Sequence, residues 1–119
     1  MYKELSRHAN DRLKLAQSMD FGEHITAYLL DVHFNACCGL ARCYGHRKAH
    51  PSGLFADGHA IRTSDVIAIN QWSHFWSFLT VTGSHYVIVT FAQPGGRESL
   101  KELVRLLTQG IYPSVEGYQ

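Results

Sequence analysis

The densest cluster of chemistry-bearing side chains runs from Cys37 to His50, in the pattern CC-x4-C-x2-H-x3-H. Thiolate and imidazole are the ligands of structural zinc, which takes four of them in a tetrahedron. Cys37, Cys38, Cys43, His46 and His50 would all have to come from one short stretch, with no second knuckle elsewhere. Cysteine also packs as a small buried hydrophobe. We therefore assign no metal ligand and no cofactor, and keep a zinc-stapled domain as an alternative. The same stretch is basic, with Arg42, Arg47 and Lys48 flanked by histidines. Closely spaced cations can hold phosphates or an acidic protein surface. Arg12, Lys14, Arg62 and Arg97 could extend such a patch, and Trp72 with His74 offers an aromatic and a polar side chain at a connecting loop.

Catalytic patterns are scarce. Arg62-Thr63-Ser64-Asp65, with His59 nearby, places hydroxyls beside a cation and a carboxylate, as a nucleophile with a histidine base would need. Ser and Asp favour turns and bulges for local hydrogen-bonding reasons, however. The chain holds no nucleophile elbow, no zinc-protease helix and no phosphate-binding glycine loop. Gly95-Gly96 before a helix could seat an anion at the helix N-terminus, or could simply turn the chain after a strand. We assign no catalytic residue and expect a protein that is not an enzyme.

Composition narrows the setting. A chain of 119 residues reads as one domain, residues 1–119. Its 45% hydrophobic and 18% charged residues are values of a folded globular protein. A formal charge of +1 supplies no bulk field toward nucleic acid or membrane. Three cysteines make a poor disulfide framework, and the charged start lacks the apolar core of a signal peptide. Polar residues interrupt the longest uncharged run, Val66 to Gln93, so no membrane span is expected. These features predict a reduced, cytoplasmic protein.

The elements that must position any site follow from periodicity. Leu5, Ala9, Leu13 and Ala16 predict a helix over residues 3–18. Asp20, three residues before Glu23, suggests a capping box opening a second helix from Phe21 to about Ala36, with Ile25, Leu29, Val32 and Ala36 as its stripe. A strand over His24 to Val32 competes, because Ile25, Thr26, Tyr28 and Val32 favour strands. Gly39 would stop that helix, and Leu40 to Tyr44 would be a short strand. Asp57-Gly58 marks a turn, His59 to Thr63 and Val66 to Ile69 read as strand, and residues 63–65 as a kink or bulge between them.

Gly83-Ser84 predicts a two-residue hairpin that pairs Thr82 with His85, Val81 with Tyr86 and Leu79 with Ile88. That register puts Trp76, Phe78, Thr80, Val87, Val89 and Phe91 on one face, and Ser77, Leu79, Val81, Tyr86, Ile88 and Thr90 on the other. With helices on the first face alone, the second would be an exposed apolar patch and a surface for a homodimer through the sheet. Arg97 to Gln109 is an amphipathic helix with Gly110 as its C′ residue, followed by a tail, Ile111 to Gln119, pinned by Ile111 and Tyr112. The sum is an α+β domain. Its antiparallel sheet of three to four strands carries two N-terminal helices and one C-terminal helix on one face.

The run GLFADGHAIRTSDVIAI, with the later strand TGSHYVIVTF, resembles strand-turn-strand segments of small proteins encoded by phages and other mobile elements. It matches their F-x-D-G-x-x-I-x-T-S-x-(V/I) run and the following T-x-(S/T)-x-Y-x-(V/I) strand, over roughly Gly53 to Phe91. That class includes anti-CRISPR inhibitors of host defence. The resemblance implies a non-enzymatic inhibitor that binds a host defence protein or ribonucleoprotein complex in the bacterial cytoplasm. Because the chain is not acidic, it implies steric blocking rather than nucleic-acid mimicry, and it carries over no site residues. The contact residues expected on chemical grounds are Arg42, Arg47, Lys48, Arg62, Trp72 and His74, since Arg and aromatic side chains anchor interfaces. A small nucleic-acid-binding protein using the basic loop 42–50 is the alternative.

Overall fold

The computed structural model describes residues 2–110, so the expected pinning of the tail by Ile111 and Tyr112 lies outside the described residues. The chain is α+β, with eight elements: α1 (Arg7–Ser18), β1 (Ala27–Asn35), β2 (Cys38–Tyr44), β3 (His59–Arg62), β4 (Val66–Gln71), β5 (Trp76–Thr80), β6 (His85–Ile88) and α2 (Gly96–Thr108). Six strands form one sheet in the order β3-β2-β1-β6-β5-β4. All neighbours are antiparallel except β1 and β6, which pair in parallel. The sheet is thus two three-stranded meanders joined along a central parallel pair, and larger than the three to four antiparallel strands expected. Among the described residues no helix is long and apolar enough to cross a membrane.

The expected second helix is the central strand β1. Its apolar residues fall on both parities, because both faces are covered: Ala27, Leu29, Val32 and Phe34 pack toward α2, and Leu30 toward α1. A strand buried on both sides reads as a continuous apolar run, and such a run also contains helical spacings. A bulge at Asp31, with φ of 55°, inserts the residue that shifts register between Leu30 and His33. Asp20 caps no helix; its Oδ1 accepts from the Gly22 amide at 2.8 Å in a local turn. Gly39 likewise ends no helix but lies within β2, packed between Phe34, Phe78 and Thr63.

β3 and β4 stand at opposite ends of the strand order, yet only Thr63–Asp65 joins them. Four residue steps reach at most about 14 Å, whereas six flat strands would spread over about 24 Å. The sheet must therefore curl, and β3–β4 acts as one bent strand passing from one meander to the other. The kink read at residues 63–65 is this corner. Val66 N donates to Cys37 O at 2.7 Å and Val81 N to Asp65 O at 2.8 Å, tying the corner to both meanders.

The helices do not share a face. α2 fills the inside of the curl over Val66, Phe78, Tyr86 and Ile88 through Leu100 and Leu103. α1 covers the other face, where Leu13 and Ala16 meet Leu30, Tyr44, Phe75, Val87 and Val89. The hairpin register also differs from the expected one. Phe78 pairs with Tyr86 and Leu79 with His85, around the three-residue loop Val81–Gly83. Gly83 takes a left-handed φ of 89° as the last residue of that loop, not the first of a two-residue turn. A positive-φ glycine suits both turns, and they differ by an odd number of residues, so one strand swaps faces relative to the other. Tyr86 and Ile88 are buried under α2, and of the expected patch only Val81 is largely exposed, at 55%. The reason for a homodimer through the sheet therefore falls away. α2 itself matches its expected span, with Gly110 at a left-handed φ of 75° just past its end.

Candidate functional site: a cationic cleft between the two helices

β6 continues past its paired residues as Val89–Ala92 and delivers the chain to α2. Here α1 from one face and α2 from the other approach the same end of the sheet. Between them lies a cleft of about 880 Å³, lined among others by His8, Arg12, His74, Phe91, Arg97 and Glu98. A smaller recess of about 140 Å³ shares Arg12, His74, Phe91 and Arg97 with it and adds Trp72 and Trp76.

Both arginines lie over aromatic rings. The Arg12 guanidinium lies 4.5 Å over the Phe75 ring, and the Arg97 guanidinium 4.6 Å over Phe91. Arg12 also donates through Nε to Val89 O at 2.8 Å and through Nη2 to His74 O at 3.1 Å. Neither arginine forms a salt bridge; the two found among the described residues join Glu23 to His85 and Glu102 to Arg105. Burial, and next the like charge of Arg97, holds the Arg12 guanidinium below its usual basicity. Among the described residues, two cations thus face one cleft without a paired carboxylate, and Glu98 is the one acid in its lining. No side chain caps the first turn of α2 at Gly95, and Glu98 within that turn offsets part of the positive end of the helix. Gly95 holds the left-handed turn into the helix at a φ of 94°. A Cβ on Gly96 would stand 2.5 Å from Val32 O, so only glycine lets α2 start this close to β1. Ser99 then locks the approach by accepting from Phe34 N at 2.9 Å.

The expected contact residues divide into two places. Arg42 and Arg62 are diagonal neighbours across β2 and β3, on an exposed face that α1 does not reach. Arg42 donates to Gly58 O at 3.1 Å and Arg62 to Cys38 Sγ at 3.2 Å. Arg47 and Lys48 are exposed in the loop that follows β2. His74 and Trp72 are elsewhere, lining the recess beside the cleft. Trp72 is half-buried against Phe21, and its Nε1 donates to Ser77 Oγ at 2.8 Å. The five candidate zinc ligands do not converge. No group of three His, Cys, Asp or Glu suited to a metal exists among the described residues. Cys37, Cys38 and Cys43 are buried free thiols, and burial pushes the Cys37 and Cys43 thiols up. His46 stacks on Phe55 at 4.2 Å, and His50 bonds Ser52 at 2.9 Å.

The hydroxyls of Thr63 and Ser64 are spent on the corner. Thr63 Oγ1 accepts from Gly39 N and donates to Ser64 O, while Ser64 Oγ bonds Thr82 Oγ1. A different set has triad-like order. His85 Nε2 lies 2.9 Å from Ser77 Oγ, and His85 Nδ1 lies 3.4 Å from Glu23 Oε1. Ser77 is fully buried and already accepts from Trp72, so no substrate reaches its oxygen. The correct hairpin register, which makes Ser77 and His85 diagonal neighbours, is the signal that would have revealed this pair.

Set against known protein families, characterised proteins and solved structures, the chain matches none of them.

Proposed function

We propose that this chain is a non-enzymatic binding protein that takes an anionic group of its partner into the cleft between α1 and α2. One observation carries this: Arg12 and Arg97 face the same cleft, and among the described residues no carboxylate is paired to either. Holding like charges together unpaired costs stability, and an anion that bridges them recovers it. The buried triad-like set supports a role without catalysis, because its hydroxyl is out of reach of solvent. The partner class implied by the phage-protein resemblance, a host defence protein or ribonucleoprotein, remains the first to try. Phosphate groups of a ribonucleoprotein suit a two-arginine site. Thermal unfolding with added inorganic phosphate and pyrophosphate tests the cleft. A ligand bound by the folded state alone raises the melting temperature. The wild-type protein should gain stability with both anions and an Arg12→Gln, Arg97→Gln double variant with neither; no gain in the wild type defeats the proposal.

A second reading is favoured by the exposed Arg42 and Arg62 pair, with Arg47 and Lys48 exposed in the loop that follows β2. That surface would track a nucleic-acid backbone, and binding would fall steeply with salt. An oligonucleotide shift that survives in the cleft double variant and is lost on replacing those four cations would favour it over the cleft.

A further inference from the structure

Resting on the anion-binding reading of the cleft, we infer that its ligand is a nucleoside phosphate, held by the phosphate at Arg12 and Arg97 and by the base in the tryptophan-lined recess. Size is the first argument. The 880 Å³ cleft far exceeds what an inorganic anion fills and falls within the about 300–1,000 Å³ typical of organic ligand sites. Shape and lining are the second. The recess shares Arg12, His74, Phe91 and Arg97 with the cleft, and its lining also includes Gln71, Trp72, Ser73 and Trp76. Aromatic faces stack bases, and Gln and Ser side chains hydrogen-bond their edges. The Arg97 guanidinium lies 4.6 Å over the Phe91 ring and forms no side-chain hydrogen bond among the described residues, which leaves its donors for phosphate.

Glu98 is the third argument. A carboxylate beside two arginines works against a bare anion, yet it is well suited to accept hydrogen bonds from ribose hydroxyls. Phosphate, sugar and base each find a matching group among the residues that line the cleft and the recess. The nucleoside phosphate could arrive free or as the phosphorylated end of a single strand, since the chemistry is the same.

Both tryptophans of the chain line this recess, which gives a direct signal. Tryptophan fluorescence and calorimetry at low salt would be followed as inorganic phosphate, the four ribonucleoside 5′-monophosphates, and short single strands with and without a 5′-phosphate are titrated into the full chain. At least one nucleotide or phosphorylated strand should bind about tenfold or more tightly than inorganic phosphate, and only it should quench the tryptophans. Whether the free nucleotide or the strand end binds identifies the source. Arg97→Gln should weaken that binding about tenfold, and Glu98→Gln should reduce the preference for ribose over deoxyribose. Circular dichroism of these exposed-site variants controls for folding. Equal binding of phosphate and every nucleotide, without quenching, overturns the nucleoside assignment while the anion site stands. Equal binding of strands with and without the 5′-phosphate overturns it as well. Failure of all anions, inorganic phosphate included, overturns both.

Discussion

The cleft between α1 and α2 and the buried relay on the α1 face of β5 and β6 are built from the same kinds of side chain, and they treat charge in opposite ways. In the relay, Trp72 Nε1 donates to Ser77 Oγ, which lies 2.9 Å from His85 Nε2. The assignment that uses every proton has the serine hydroxyl donating to Nε2 and the imidazole proton on Nδ1, facing Glu23. The Nδ1 atom makes no hydrogen bond, and its 3.4 Å contact with a mostly exposed carboxylate is weak. Burial prevails over Glu23 and holds the His85 pKa below the usual imidazole value. The relay is a neutral, buried network in which the Nδ1 atom of His85 is left without a hydrogen bond. In the cleft, two guanidiniums lie over aromatic rings, with no salt bridge to either among the described residues. Residue type alone does not separate a structural network from a binding site; access to solvent does.

The strongest way to break the comparison is Gly96→Ala. The added Cβ would meet a backbone carbonyl at 2.5 Å and Phe91 Cβ at 3.1 Å, and neither can swing aside. The cost should reach or exceed the upper end of the about 1–3 kcal/mol that overpacking brings. Because α2 must lift, anion binding should vanish together with that stability. Urea unfolding and phosphate titration measure the two arms. A variant of wild-type stability would mean that the start of α2 is not seated on β1.

Ser77→Ala sharpens the opposite side. It orphans the Trp72 donor and the His85 acceptor inside the fold. An unsatisfied buried group costs about 1–3 kcal/mol, and two partners are affected here. Anion affinity should not change, because Ser77 does not line the cleft. Equal loss of stability and of binding would show that relay and cleft are one unit.

Titration separates the regions without mutation. His85 and His46 are both held below the usual imidazole pKa, in each case chiefly by burial. The folded state therefore prefers them neutral, while the unfolded chain takes up protons near pH 6.5. Stability should be level above about pH 7 and fall as pH drops through about 6.5 toward the folded-state values, where it levels again. A His85→Gln variant should show a shallower acid decline in its urea midpoint. An unchanged slope would assign the decline to other groups.

Much of this contrast could not be read from the chain. α2 was legible because its period is clean and glycines bound it on both sides. The corner at 63–65 was legible as a kink, since Thr, Ser and Asp favour it. β1 was not, because burial on both faces erases the alternation that marks a strand. The hairpin register failed because Gly83 satisfies two turns with equal ease. That single slip hid the Ser77–His85 pair and created an apolar patch that does not exist. Arg12 and Arg97 were visible as cations, but their meeting depends on two helices on opposite faces converging at one sheet end. No local pattern encodes that. Gly95-Gly96 was the nearest signal, and it was equally the signal of a turn.

The smallest expected effect on stability is also the most discriminating. Arg12 donates to two backbone carbonyls, so Arg12→Gln removes structural bonds together with charge and should cost about 1 kcal/mol or more. Arg97 stacks on Phe91 but forms no hydrogen bond through its side chain among the described residues, and it presses a like charge on Arg12. Arg97→Gln should leave stability within about 0.5 kcal/mol of wild type, with relief of repulsion offsetting the lost stacking. Its loss of phosphate affinity should nevertheless match that of Arg12→Gln. A residue that contributes nothing to the fold and much to binding is the pattern expected of a site held against its own charge for a ligand. If Arg97→Gln destabilised the protein as much as Arg12→Gln, Arg97 would be structural and the cleft would lose half of its case.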